Sequence, residues 1–129
     1  MATPSQPTED RRTSNAATRR RQREREIIDA TRQLFDERGL RDAQIEDIAK
    51  AVGINRAIVY RHFTGKEELF ALTLVQYLDE LRVKLYEVTA DTVEDTPRAQ
   101  LIALMTAFAD YGIEHPAFVD CALALMSRS

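Results

Sequence analysis

Cysteine, histidine, glycine and proline are all scarce in this chain of 129 residues, and each scarcity closes off a class of protein. A single cysteine, Cys121, rules out an internal disulfide framework and fits a reducing, cytoplasmic setting. On a helical stretch it reads as a small hydrophobe. The two histidines, His62 and His115, stand in unrelated contexts, and no Cys or His motif accompanies them. No metal site is therefore expected, and no cofactor. The four glycines lie far apart, at 39, 53, 65 and 112, so there is neither a P-loop nor a dinucleotide fingerprint. No constellation of residues suggests catalysis. Long apolar runs are also missing. The longest uncharged one, AQLIALMTAFA at 99–109, is too short to span a bilayer and suits a buried helix. The basic N-terminus leads into no apolar segment, which argues against a secretory signal and a membrane partner.

What is present is charge, unevenly placed. The net charge is −3, which by itself speaks against nucleic acid. Residues 1–66, however, hold 14 Lys and Arg against 10 Asp and Glu, whereas residues 67–129 hold 4 against 11. A basic first half joined to an acidic second half implies one anion-facing module and one that is not.

No strand pattern and no internal repeat occur, and the chain reads as all-α. Residues 1–20, rich in Pro, Ser, Thr and Arg without apolar periodicity, are expected to be a flexible basic arm. Its cluster Arg11, Arg12, Arg19, Arg20, Arg21, Arg23 and Arg25 suits either DNA contact or solubility. A first helix comes next, carrying Ile27, Ile28, Thr31, Leu34, Phe35 and Arg38 on one broad stripe and ending at Gly39. QIEDIAKAV predicts a short second helix with Ile45, Ile48, Ala49 and Val52 on one side, ended by Gly53. Asn55 caps a third helix at 56–63. Thr64 and Glu67 have the spacing of a capping box that opens a fourth helix running to about Val88. Thr96-Pro97 starts a fifth, stopped by Gly112, and His115-Pro116 a sixth.

The second and third helices form a helix–turn–helix, the unit that places one helix in a DNA major groove. Small Ala49 lets the third helix cross close, Gly53 permits the sharp turn, and Val59 and Phe63 anchor the third helix inward. At about 100° per residue, Ala57 and Arg61 then point outward, Tyr60 and Ile58 flank them, and Arg56 and His62 lie on the shoulders. Arginine pairs with guanine edges, tyrosine donates to phosphate, and a small Ala57 allows close approach. Lys66, in the first turn of the fourth helix, with nearby backbone amides, is placed to clamp a phosphate. The bland alternative is a solvated amphipathic helix.

Residues from about 24 to 71 resemble the N-terminal domain of the TetR family of bacterial transcriptional regulators, through IIDATRQLFDERGL and IEDIAKAVGINRAIVYRHFTGKEELF. The resemblance implies a three-helix DNA-binding head at 21–66, with the helix at 56–63 as recognition helix. By that likeness Tyr60 and Lys66 meet phosphate, and Arg56, Ala57 and Arg61 meet bases or backbone. His62 either touches phosphate or packs at the domain's edge. Two positions depart from the family pattern. Ala43-Gln44 replaces the usual hydroxyl residue opening the second helix, leaving Gln44 as the candidate contact there and Asp42 as an alternative cap. Ile58 replaces a frequent hydroxyl on the recognition helix. It is either an incidental exposed apolar residue or a partner for a thymine methyl.

Residues 67–129 then form the start of a helical regulatory and dimerisation domain, shorter than in the family and so expected to be truncated. Leu74, Tyr77, Leu78, Leu101, Leu104, Met105, Phe108, Tyr111 and Phe118 are expected to line its core, or else a ligand pocket whose residues are unknown. The implied function is a sequence-specific regulator, a repressor released from a palindromic operator by a small-molecule inducer, working as a homodimer if its C-terminal helices are present. The alternative is a truncated helical module that pairs with a longer regulator.

Overall fold

The computed structural model describes residues 7–127. Six helices occur in order: α1 (Pro7–Arg38), α2 (Ile45–Val52), α3 (Arg56–His62), α4 (Lys66–Asp91), α5 (Pro97–Glu114) and α6 (Pro116–Met126). No strand occurs among the described residues, and no helix there is long and apolar enough to cross a membrane.

The N-terminal segment departs from the expected arm. Residues 1–6 lie outside the described residues, but 7–20 are helical and continuous with the rest of α1. The expectation rested on missing apolar periodicity, which predicts a lack of packing partners rather than a lack of helix. Arg, Ala, Gln and Glu are good helix formers. A local ion pair adds to them, Arg20 meeting Glu24 one turn on at 3.7 Å. Burial begins only at Ile27, from which Thr31, Leu34 and Phe35 continue the stripe inward. Thr31 satisfies its buried hydroxyl by donating to the Ile27 carbonyl at 2.7 Å.

Both glycine stops after α1 and α2 are real. Gly39 and Gly53 have φ of 82° and 83°, the left-handed region that L side chains avoid. At Gly53 the amide reaches the Ala49 carbonyl at 2.9 Å, and Ile54 N–H donates to the same oxygen at 2.9 Å. Gly112, by contrast, does not stop α5, which runs two residues past it to Glu114. A glycine inside a helix costs only about 1 kcal/mol, and Val119 of α6 packs where its side chain would stand, 3.6 Å from that Cβ position.

The cap of α4 is shifted by one residue from the expected Thr64–Glu67 box. Gly65 is the N-cap, and Glu68 reaches back to accept from the Thr64 amide at 2.8 Å and from its hydroxyl at 2.7 Å. α4 also runs three residues beyond Val88, to Asp91, where Thr92 caps it.

One buried cluster unites Ile27, Leu34 and Phe35 of α1, Ile45 and Ile48 of α2, Val59 of α3, Leu69, Phe70, Tyr77 and Leu81 of α4, Tyr111 of α5 and Phe118 and Cys121 of α6. The Phe35 and Phe70 rings meet edge to face, 5.1 Å apart and at 83°, fixing α1 on α4. Cys121 is fully buried and donates to the Phe70 carbonyl at 3.2 Å; burial pushes its thiol pKa up to about 11. The expected core of the second half is only half realised. Tyr77, Tyr111 and Phe118 are buried, whereas Leu78, Leu101, Met105 and Phe108 are exposed. α5 has α4 and α6 on one side only, so its outer apolar face remains open.

Candidate nucleic-acid interface

The outer surface of α3 is built from its caps and anchors. Asn55 is its N-cap and accepts from the Ile58 amide through Oδ1 at 3.0 Å. Val59 and Phe63 turn inward and are almost completely buried. Beneath them Ala49 is buried too, the small residue that the close crossing needs. With that face fixed, Arg56, Ala57, Tyr60 and Arg61 are exposed together on the other. Asn55→Ala is expected to cost about 1 kcal/mol, seen as a lower unfolding midpoint, because one first-turn amide of a helix of only 7 residues loses its side-chain acceptor.

Two of these exposed side chains hold each other in place. Arg56 Nη1 donates to Glu46 of α2 at 3.0 Å, and its guanidinium lies 5.7 Å from the Tyr60 ring centre. Both members of the ion pair are open to solvent. Such a pair is worth roughly 0–1 kcal/mol, so an incoming nucleic-acid acceptor displaces Glu46 at little cost. Arg61 has no acidic partner among the described residues and is free to meet one.

His62 is turned away from this surface. Its Nδ1 lies 3.2 Å from a carboxylate oxygen of Glu24 on α1, and both side chains are largely covered. Of the two roles left open for it, packing at the domain's edge is the one its position matches. Sequence periodicity carried a signal for this contact: Glu24 stands three residues before Ile27 and seven before Thr31, on the buried stripe of α1. Ile58 is half-buried, on the flank between the anchors and the exposed face.

Gln44 and Lys66 frame α3. Gln44 is exposed and caps α2; its own amide donates to Asp47 at 3.2 Å and its Nε2 donates to the Arg41 carbonyl at 2.9 Å. Asp42, the alternative cap, is not used. Ala43 beside it is fully buried, so a small apolar residue there serves the core. Lys66 is half-buried, with its ammonium 5.6 Å from the Phe70 ring centre. Burial holds its pKa below the usual lysine value, and Asp42 nearby opposes that shift. The expected amide clamp is partly occupied, because Glu68 already takes the Thr64 N–H. Lys66 therefore contributes to this surface mainly as a positive charge.

Among the described residues no group of three or more His, Cys, Asp or Glu could hold a metal ion. Residues 27–73, which contain the whole of α2, the turn and α3, match the family model of bacterial regulatory proteins, tetR family. The chain belongs to the tetR family. Over 84 residues it is 40% identical to the HTH-type transcriptional repressor KstR2 of Rhodococcus jostii, covering 65% of this chain and 40% of that protein. Over 96 residues it is 30% identical to the HTH-type transcriptional activator FasR of Mycolicibacterium smegmatis, covering 74% of this chain and 42% of that one. The solved structure of the ketosteroid transcriptional regulator KstR2 of Mycobacterium tuberculosis superimposes with a TM-score of 0.55 at 30% identity, over 80% of this chain and 52% of that one. The tetR-family chain thus spans less than half the length of these curated relatives. One of these relatives is described as a repressor and the other as an activator.

Proposed function

We propose that this tetR-family protein is a sequence-specific DNA-binding regulator of transcription, with α3 lying in the major groove. One observation carries the reading: the anchors Val59 and Phe63 turn inward, leaving Ala57, Tyr60 and Arg61 together on the exposed face with Lys66 at its edge. Small Ala57 admits the base edges, Arg61 and Arg56 offer guanidinium forks, and Tyr60 and Lys66 serve phosphates. Gln44, at the exposed start of α2, adds a backbone contact. The direction of control proposed is repression, as for the relative KstR2. Selection from a random duplex library tests the reading. It should enrich one palindromic sequence bound with an affinity that falls steeply with salt. Enrichment of no sequence, with no salt-sensitive duplex binding, overturns it.

The open face of α5 favours a second property, self-association. Leu101, Ile102, Met105 and Phe108 are all more than half exposed, at 57, 53, 63 and 54%. A contiguous apolar face of this kind gains free energy by being covered. Two heads joined through it would bind a palindrome with the advantage of effective concentration. The groove between α4 and α5, lined by Leu78, Leu81, Leu85, Tyr86 and Leu104, is the proposed seat of an apolar inducer. Sedimentation should show a dimer whose fraction rises with protein concentration. Met105→Glu combined with Phe108→Glu should return it to monomer at the same concentration. A wild-type chain that stays monomeric at high concentration refutes the association.

A further inference from the structure

The first part of α1 has no role in the core. From Arg11 to Glu26 no residue is buried, and the only apolar side chains in the stretch are those of Ala16 and Ala17. It cannot form an amphipathic face for a membrane or a partner helix, because neither can be made without large apolar residues. What it carries is seven arginines in 15 residues, from 11 to 25.

These arginines divide into two groups. Arg20 pairs with Glu24 at 3.7 Å, Arg23 with Glu26 at 3.7 Å, and Arg25 donates to Gln22 at 2.9 Å. Arg11, Arg12, Arg19 and Arg21 are exposed and have no acidic partner among the described residues. Arg12 and Arg19, seven residues apart, share one side of the helix; Arg11 stands about 80–100° from them and Arg21 points to the opposite side. Like charges that gather on one rod repel each other, and a polyanion relieves that repulsion.

The placement of the rod indicates which polyanion. Glu24 holds His62, at the C-terminal end of α3, at 3.2 Å. The basic stretch therefore leaves the head beside the C-terminal end of α3, on the side to which His62 turns. At 1.5 Å per residue, Arg11 lies about 20 Å along the helix from Glu24. Over that distance a duplex presents roughly a dozen charges, at one per about 1.7 Å.

We infer that the N-terminal half of α1 is a second DNA-contacting element, a helical rod whose Arg11, Arg12 and Arg19 lie along duplex phosphates beside the groove that α3 enters. This assignment rests on the DNA reading of α3. The rod carries no base-reading geometry: it adds affinity on any sequence and leaves the choice of sequence to α3.

The test replaces Arg11, Arg12 and Arg19 with glutamine, which keeps helix propensity while removing charge. Binding is measured on the operator obtained by duplex selection and on a scrambled duplex, at several salt concentrations. The variant is expected to bind both duplexes about ten- to hundredfold more weakly, with a salt slope smaller by about one to three and an unchanged preference between them. Circular dichroism and the thermal transition of the full chain check that the helix and core persist, and Arg12→Gln with Arg19→Gln alone gives the same direction at smaller size. Unchanged affinity and slope in a variant whose parent binds the operator overturns the rod while leaving α3 intact. A loss confined to the operator overturns it too, because that assigns the arginines to base reading. Failure of the wild-type chain to bind any duplex removes the reading of α3 as well.

Discussion

Replacing Arg61 and Lys66 together with alanine is expected to lower operator affinity at least a hundredfold while leaving the unfolding midpoint nearly unchanged. Arg61 projects from the exposed face of α3, and Lys66 opens α4 at the border of that face. A charge-assisted hydrogen bond is worth about 1.5–3 kcal/mol, and a good base contact about 1–3 kcal/mol of discrimination. Two such losses place the combined effect at about 3–5 kcal/mol. The structural cost is small, since Arg61 has no ion-pair partner among the described residues and removing the Lys66 ammonium relieves its partial desolvation. Fluorescence anisotropy across a salt series reads both parts. The slope of log affinity against log salt should fall by about one for each phosphate contact removed. Full-strength binding by this double variant would mean that DNA, if bound, meets another face of the molecule.

The helix–turn–helix was legible because its signals are local. Gly53 has no alternative to a turn at its position, Asn55 caps α3, and Val59 with Phe63 leaves that helix one orientation. Each of these depends on dihedral preference or on a repeat of three to four residues. What stayed hidden depends on contacts between distant segments. Glu46 meeting Arg56 and Glu24 meeting His62 need the fold before they can be seen. The choice of Glu68 over Glu67 at the start of α4 turns on one residue of cap register, which sequence patterns resolve poorly. The second half misled for another reason. A helical repeat of apolar residues tells which face is greasy but not whether anything covers it, and on α5 Leu101, Met105 and Phe108 are uncovered. The charged start of α1 shows the converse: low hydrophobicity excluded a core there without excluding a helix.

Tyr77→Ala should destabilise the chain by about 3–5 kcal/mol, the largest single loss expected at the junction of head and second half. Tyr77 is fully buried in α4, with its ring 5.8 Å from that of Phe118 and the Arg32 guanidinium 4.4 Å from its centre. Its hydroxyl donates to Asp36 of α1 at 2.5 Å. Arg32 also pairs with Glu80, and the Tyr111 hydroxyl donates to the Tyr77 carbonyl at 3.0 Å. The side chain thus joins α4 to α1 and α6 through packing and polar contact, and its main-chain carbonyl adds the link to α5. Tyr77→Phe separates the two. It keeps the ring, loses the bond to Asp36, and should cost only about 1 kcal/mol, because Asp36 is exposed and water takes the vacated place. pH supplies an independent check on the hydroxyl. Burial first, and the bond to Asp36 second, raise the phenol pKa well above its ordinary value of 10.0. The folded state therefore keeps the proton where the unfolded chain gives it up. The stability this provides is fully present below pH 10 and declines as pH rises beyond it. Chemical denaturation of the wild-type chain should accordingly show a fall in stability on the alkaline side of pH 10 that Tyr77→Phe diminishes. If Tyr77→Phe proves as damaging as Tyr77→Ala, the hydroxyl rather than the ring holds α1 onto α4.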